Sequence, residues 1–149
     1  MNIFEALRVS HQTQRELAAR LLAATSGEPD ERDRIFIDLK RELVAHETAE
    51  ERCFYVPLFA HDTTVDASRH AIAEHHQMDE MVEDIEKMDA GSAQWLAAVR
   101  KLCEKVEHHL SEEEHKFFQE AGKVLTEAQK TSLARDYEAE FTTLRVQEG

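Results

Sequence analysis

Two short pieces of the chain carry the same pair of side chains, an imidazole and a carboxylate four residues apart: His46 with Glu50, and His109 with Glu113. Each pair is followed directly by a second glutamate, Glu51 or Glu114, and eight residues past the histidine by an aromatic, Phe54 or Phe117. On an α-helix a step of four returns to nearly the same face, so each pair aims one nitrogen and one oxygen donor in the same direction. Ligand-type residues repeated in matched surroundings point to two halves of one metal site. Imidazole with carboxylate suits iron, manganese or zinc, and the absence of thiolate from the pattern argues against a structural zinc site.

Such a site needs helices to carry it, and the composition supplies them. The 149 residues include only four Gly and two Pro, and Ala, Leu, Glu and Lys are abundant, which predicts an all-α chain. The length fits one domain, residues 1–149, with room for a buried core. Thirty-one acidic against eighteen basic residues give a formal charge of −13. That balance makes nucleic acid and anionic membrane surfaces poor partners and suits a protein that handles cations. No apolar run approaches a membrane span, the N-terminus has no signal-peptide pattern, and Cys53 with Cys103 does not resemble a disulfide scaffold. A cytoplasmic protein with reduced thiols is the expectation.

The apolar periodicity predicts five helices. The first spans about Ile3 to Ala24, with Phe4, Leu7, His11, Ala18 and Leu21 on one stripe. Thr25 to Asp30 interrupts and restarts the pattern. The second helix aligns Phe36, Leu39, Leu43, His46, Glu50 and Cys53, and Pro57 is expected to end it. His61 to Asp66 reads as a loop. A third helix from about Asp66 to Met88 lines up Ala71, His75, Met78, Val82 and Ile85. Asp89 to Ser92 is a turn, with Ser92 an N-cap. The fourth helix has the register Val99, Leu102, Val106, His109, Glu113 and Phe117. Thr126 to Gln129 is a capping box that opens a last helix, carrying Leu133, Tyr137 and Phe141 before a fraying polar tail. The expected architecture is an up-down-up-down four-helix bundle over about residues 3–122, with an additional C-terminal helix over about 126–146 packed outside it.

Each bundle helix therefore offers a histidine on its core stripe: His11, His46, His75 and His109. With Glu50 and Glu113 these make six candidate metal ligands. Ionisable groups inside a helical core are costly unless something compensates them, and a pair of cations does so directly. Six donors fit two ions, with the carboxylates bridging and some coordination positions left for a small exogenous ligand. A lone core histidine is more often a hydrogen-bonded structural residue, and a lone His-x-x-x-Glu pair more often a surface salt bridge. Four helices with an inward histidine weaken both readings.

Other groups are expected to be bland. Glu51 and Glu114 lie about 100° round the helix from the inner stripe, as partners or solvated residues. His108 with Glu112 and His70 with Glu74 copy the spacing but face away. His61 and His115 read as loop and surface. His75 is preferred over His76 because it aligns with Met78, Val82 and Ile85. Tyr55 could line the site or donate to a bound ligand, but an ordinary packing role is preferred. A ferritin-like site would need Glu-x-x-His on two helices, and a zinc hydrolase His-Glu-x-x-His; neither pattern is present.

The order His, His-x-x-x-Glu, His, His-x-x-x-Glu over four helices resembles the hemerythrin-like proteins of the HHE cation-binding class. The resemblance runs from about Phe4 to Phe118. It includes His46 to Glu51 with Phe54 to Pro57, then Glu74-His75, and His109 to Glu114 with Phe117-Phe118. It implies two iron ions in an oxo- or hydroxo-bridged pair held by His11, His46, Glu50, His75, His109 and Glu113. A site of that kind reacts with dioxygen, peroxide or nitric oxide. Oxygen-carrying hemerythrins have a further histidine one turn before the third-helix ligand and an aspartate as the last carboxylate; here those positions are Ala71 and Glu113. The departure favours peroxide or redox chemistry over reversible oxygen carriage. A detoxifying enzyme is one reading, and a sensing module with a homo-oligomeric or separate signalling partner is the other.

Overall fold

In the computed structural model, which describes residues 1–148, the chain is all-helical, with five long helices and no strand among those residues. Gly149, the last residue of the expected domain, lies outside the described residues. Helix α1 covers Ile3–Ala23 and tightens into a 3₁₀ turn, Ala24–Ser26. Helix α2 covers Pro29–Glu50 and continues through a π-helical turn, Glu51–Tyr55, into Val56–Leu58. Helix α3 is Asp62–Glu86. Helix α4 is Ala93–Glu112, continued by a second π turn, Glu113–Phe117, and by Phe118–Val124. Helix α5 is Glu127–Glu148.

The ends are set by local chemistry. Asn2 and Glu5 form a reciprocal capping box at the start of α1. Pro29 opens α2 at the position where a missing N–H costs nothing. Ser92 accepts from the Trp95 N–H at 3.1 Å, and Thr126 with Gln129 closes both arms of the expected box. Two boundaries differ from expectation. Helix α3 begins at Asp62, not near Asp66, because the polar run His61 to Asp66 is its first turn: buried Thr64 donates its hydroxyl to the Leu58 carbonyl at 2.8 Å. Pro57 does not end α2. It falls just after the π turn, where the α-helical ladder is already out of phase, so its missing N–H disrupts little.

The first four helices make the bundle, and α5 packs along α1, α2 and the π turn of α2. The core is split into two apolar clusters. One holds Leu7, Phe54, Phe117, Phe118 and Tyr137; the other holds Leu21, Leu39, Met78, Trp95 and Val106. The histidines of the inner stripes lie between them. Along α2, Leu43 belongs to one cluster and Phe54 to the other, with His46 and Glu50 in the gap. Along α4, Val106 and Phe117 bracket His109 and Glu113 in the same way. A polar layer sealed above and below by hydrocarbon is shielded from bulk water, which strengthens every electrostatic interaction inside it.

Candidate metal centre

All six sequence-selected donors are buried in that layer, each no more than 3% exposed. Two groups form among them. His11, His46, Glu50 and Glu113 bring one donor atom each to within 4.8 Å of one another, and so do Glu50, His75 and His109. Glu50 belongs to both groups. Its Oε1 lies 3.3 Å from His46 Nε2 and 3.2 Å from His75 Nε2. Glu113 spans the same gap: its Oε1 is 3.1 Å from His11 Nε2, and its Oε2 is 3.8 Å from His109 Nε2. The Nε2 atoms of His75 and His109 approach to 3.1 Å, a separation at which both cannot carry a proton comfortably.

The outward nitrogens decide which atoms face inward. His11 Nδ1 pairs with Glu114 at 2.7 Å, His75 Nδ1 with Glu51 at 2.9 Å, and His109 Nδ1 with Glu74 at 2.8 Å. His46 Nδ1 pairs with the Tyr137 hydroxyl at 2.8 Å. A carboxylate on Nδ1 holds a proton there, so a neutral ring turns its Nε2 lone pair into the layer. The inner atoms are then short of partners. His11 Nε2, His46 Nε2, Glu50 Oε2 and Glu113 Oε1 are buried without a hydrogen bond, although His11 and Glu113 touch. Orphaned donors of this kind are costly in a dry interior, and a cation bound among them removes the cost. The residues present therefore fit metal ions.

Proton affinities show the same strain. Burial opposes the His11 cation, but its contacts with the Glu113 and Glu114 carboxylates overcome it and raise the imidazole to about 9. At His46 burial wins and pushes the ring down to about 4. Burial, reinforced by the neighbouring Glu50 charge, lifts Glu113 to about 8. Glu50 moves the other way: burial opposes its charge, but His46 and the hydrogen bonds around it hold it well below the usual carboxylate range. Two carboxylates this close do not both ionise without cations beside them.

Sequence reasoning placed the ligand candidates and missed most of what supports them. His75 is 1% exposed and faces the layer, while the His76 side chain is 74% exposed. His108 and His70 are exposed, as expected. Glu51 and Glu114 are partners of His75 and His11. Tyr55 does more than pack: its hydroxyl donates to Glu50 at 2.7 Å and also contacts Glu113. The π turn explains the reach, since one extra residue in the turn brings a side chain five positions after Glu50 round toward the same face. Glu74 lies off the inner stripe in sequence, like His70, yet its buried carboxylate holds His109. The sequence marks Tyr137 only as a core residue of α5. A signal for Tyr55 did exist: it stands nine residues after His46, as Phe118 does after His109.

A cavity of about 480 Å³ opens between α3 and α4 and reaches the layer. Ala71, Phe117, His109 and Glu113 line its inner part, and Asp66, His70, Glu112, Lys116 and Glu120 are among the residues around it. Ala71 is thus the residue that leaves space beside the second donor group.

The family model described as Hemerythrin HHE cation binding domain matches residues 2–121. The crystal structure of a hemerythrin HHE cation-binding domain-containing protein from Mycobacterium kansasii superposes with a TM-score of 0.86, at 22% identity, over 99% of this chain and 89% of that one. No curated protein matches the chain.

Proposed function

The chain belongs to the hemerythrin HHE cation-binding domain family, and from that premise we propose a non-haem di-iron protein that reacts with dioxygen, peroxide or nitric oxide. His11 and His46 would hold one ion and His75 and His109 the other, with Glu50 and Glu113 bridging. The observation that carries this reading is the pair of donor groups sharing Glu50, with bare buried atoms converging between two apolar clusters. Two irons in a carboxylate- and oxo-bridged pair would supply a redox couple and open coordination positions for a small molecule.

The chain's own residues do the rest. Glu114, Glu51, Glu74 and Tyr137 hold the imidazoles in one tautomer and one orientation. Tyr55 binds the carboxylates together, and its phenol proton is held tightly because burial and the nearby Glu113 and Glu50 charges disfavour the phenolate. Apolar side chains on both sides exclude water. The cavity beside Ala71 gives a small molecule access to the His109 and Glu113 side. Its walls carry Asp66, Glu74, Glu112 and Glu120 against Lys116 and His70, a field that favours neutral ligands over anions.

That open side favours a second reading within the same chemistry: an enzyme that consumes peroxide or nitric oxide, catalase-like in the peroxide case. No helix of the described chain is long and apolar enough to cross a membrane. Metal analysis with an optical spectrum of the purified protein tests the di-iron proposal. About two irons per chain with near-ultraviolet charge-transfer bands are expected, and a protein that takes up no stoichiometric iron would sink it. Steady peroxide turnover by the iron-loaded protein then argues for the enzyme; tight nitric oxide binding without turnover argues for a sensor.

A further inference from the structure

Three of the four inward histidines are backed at Nδ1 by a carboxylate, and the fourth is not. Glu114 backs His11, Glu51 backs His75 and Glu74 backs His109. His46 instead meets the Tyr137 hydroxyl at 2.8 Å, which in turn lies 2.6 Å from the Ser10 hydroxyl. The reason can be read from the repeat. Glu74 directly precedes His75 on α3, and the residue directly preceding His11 on α1 is Ser10. Where one half has a carboxylate that reaches across to its partner helix, the other has a side chain too short to do so. Tyr137, on α5, fills the gap.

We infer that Tyr137 is a positioning residue for metal binding: its hydroxyl, anchored by Ser10, orients His46 in place of the missing carboxylate and makes α5 part of the site. When Nε2 of His46 binds a cation, the ring proton sits on Nδ1 and donates to the Tyr137 oxygen. The phenol proton is then free to donate to Ser10. Both hydroxyls are in buried residues, and the ring edges of His46 and Tyr137 are also packed together, with centroids 5.8 Å apart at 75°. Tyr137 is stacked on Phe141 from the same helix, so α5 fixes the phenol from behind. A phenol is a neutral acceptor and gives His46 less electron density than a carboxylate would. The ion on the His11 and His46 side is therefore the less strongly donated of the two.

The inference rests on the reading that the cluster holds iron, and the test separates the two. Wild type, Tyr137→Phe and the double variant Tyr137→Phe with Ser10→Glu are loaded with ferrous iron and aerated. Iron release to a chelator is then followed by absorbance. Outer partners of metal-bound histidines are worth about 10–100-fold in affinity, so Tyr137→Phe is expected to release iron about tenfold faster or more. The double variant, which recreates the arrangement of Glu74, is expected to recover most of that loss. Melting temperatures with and without iron give the second readout: the metal-free proteins should melt within a few degrees of one another, while the rise on adding iron shrinks in Tyr137→Phe alone. Equal release rates in wild type and Tyr137→Phe would overturn the inference, as would an equal fall in both melting temperatures. Failure of wild type itself to bind iron would overturn the proposed function along with it.

Discussion

The two halves of the polar layer carry the same candidate ligands and different surroundings. In the α1–α2 half the residue one turn before the first histidine is Leu7, fully buried; in the α3–α4 half the same position is Ala71, beside a cavity. The α1–α2 half backs its second histidine with a phenol from α5, and the α3–α4 half with a carboxylate of its own. Nine residues past the second histidine stands Tyr55 in one half, hydrogen-bonded to Glu50, and Phe118 in the other, stacked on His11 with ring centroids 5.9 Å apart. The halves also interlock, since the trailing glutamate of each reaches the first imidazole of the other. Donor atoms are thus repeated while access and support have diverged. The His11 and His46 side is sealed and covered by α5, and the His75 and His109 side is open to a small molecule.

The largest effects should come from the carboxylate the halves share. Glu50→Gln keeps the shape but not the charge, and removes a donor from both groups at once. Metal affinity should fall by more than the roughly 100-fold upper end seen for outer partners, with the helical circular dichroism kept. Glu113→Gln removes the second bridging carboxylate but leaves the Glu50, His75 and His109 group whole, so about one ion per chain should remain there. Equal metal content in the two variants would show that the groups are not separable.

Leu7→Ala carries the comparison into packing. In a sealed half, deleting a fully buried leucine side chain should cost about 2–5 kcal/mol, read from urea midpoints of the metal-free protein. A loss well under about 1 kcal/mol would mean that this side has slack of its own. The converse variant, Ala71→Leu, should be nearly neutral for stability, since it fills existing space. Its effect is kinetic: nitric oxide or peroxide should react on the order of tenfold more slowly, equivalent to about 1.4 kcal/mol of barrier, at unchanged iron content. Unchanged rates would place the route to the metals elsewhere.

Much of this arrangement was legible because it is periodic. Four inward histidines, two His-x-x-x-Glu pairs, the Ser92 cap and the Thr126 to Gln129 box all follow from spacing along single helices. What escaped depends on contacts between helices. Nothing in the local pattern at Tyr137 tells that its hydroxyl crosses to α2, because that depends on how α5 lies. Glu74 looked misdirected because a long side chain reaches a neighbour that its own helix stripe does not indicate. The π turns escaped for a different reason. A reading at 3.6 residues per turn assumes a constant phase, so Pro57 looked like an end where the helix had widened and gone on.

The smallest expected effect lies one contact further out, at Arg15. Its guanidinium grips both oxygens of Glu114 at 3.0 Å and also Glu107, and with His11 it holds the Glu114 carboxyl down at about 2 against the cost of burial. The corresponding position in the other half is Asp79, beside the buried Glu47 carboxyl, and Glu51 is left more exposed than Glu114. Arg15→Gln makes the two trailing glutamates more alike. Two consequences oppose each other. Releasing Glu114 from a cation lets it donate more strongly to His11, but it also frees a carboxylate that two N–H groups had oriented. Orientation should win, because the His11 contact is a single hydrogen bond and does not fix the carboxylate plane. Arg15 is 28% exposed, so solvent screens the ion pair and its worth is up to about 1 kcal/mol. Iron release to a chelator should therefore quicken by roughly two- to fivefold, well below the Tyr137→Phe effect. The difference from wild type should also narrow at high salt, where the exposed ion pair contributes less. Slower release than wild type would reverse the balance argued here and make electron donation to His11 the stronger lever.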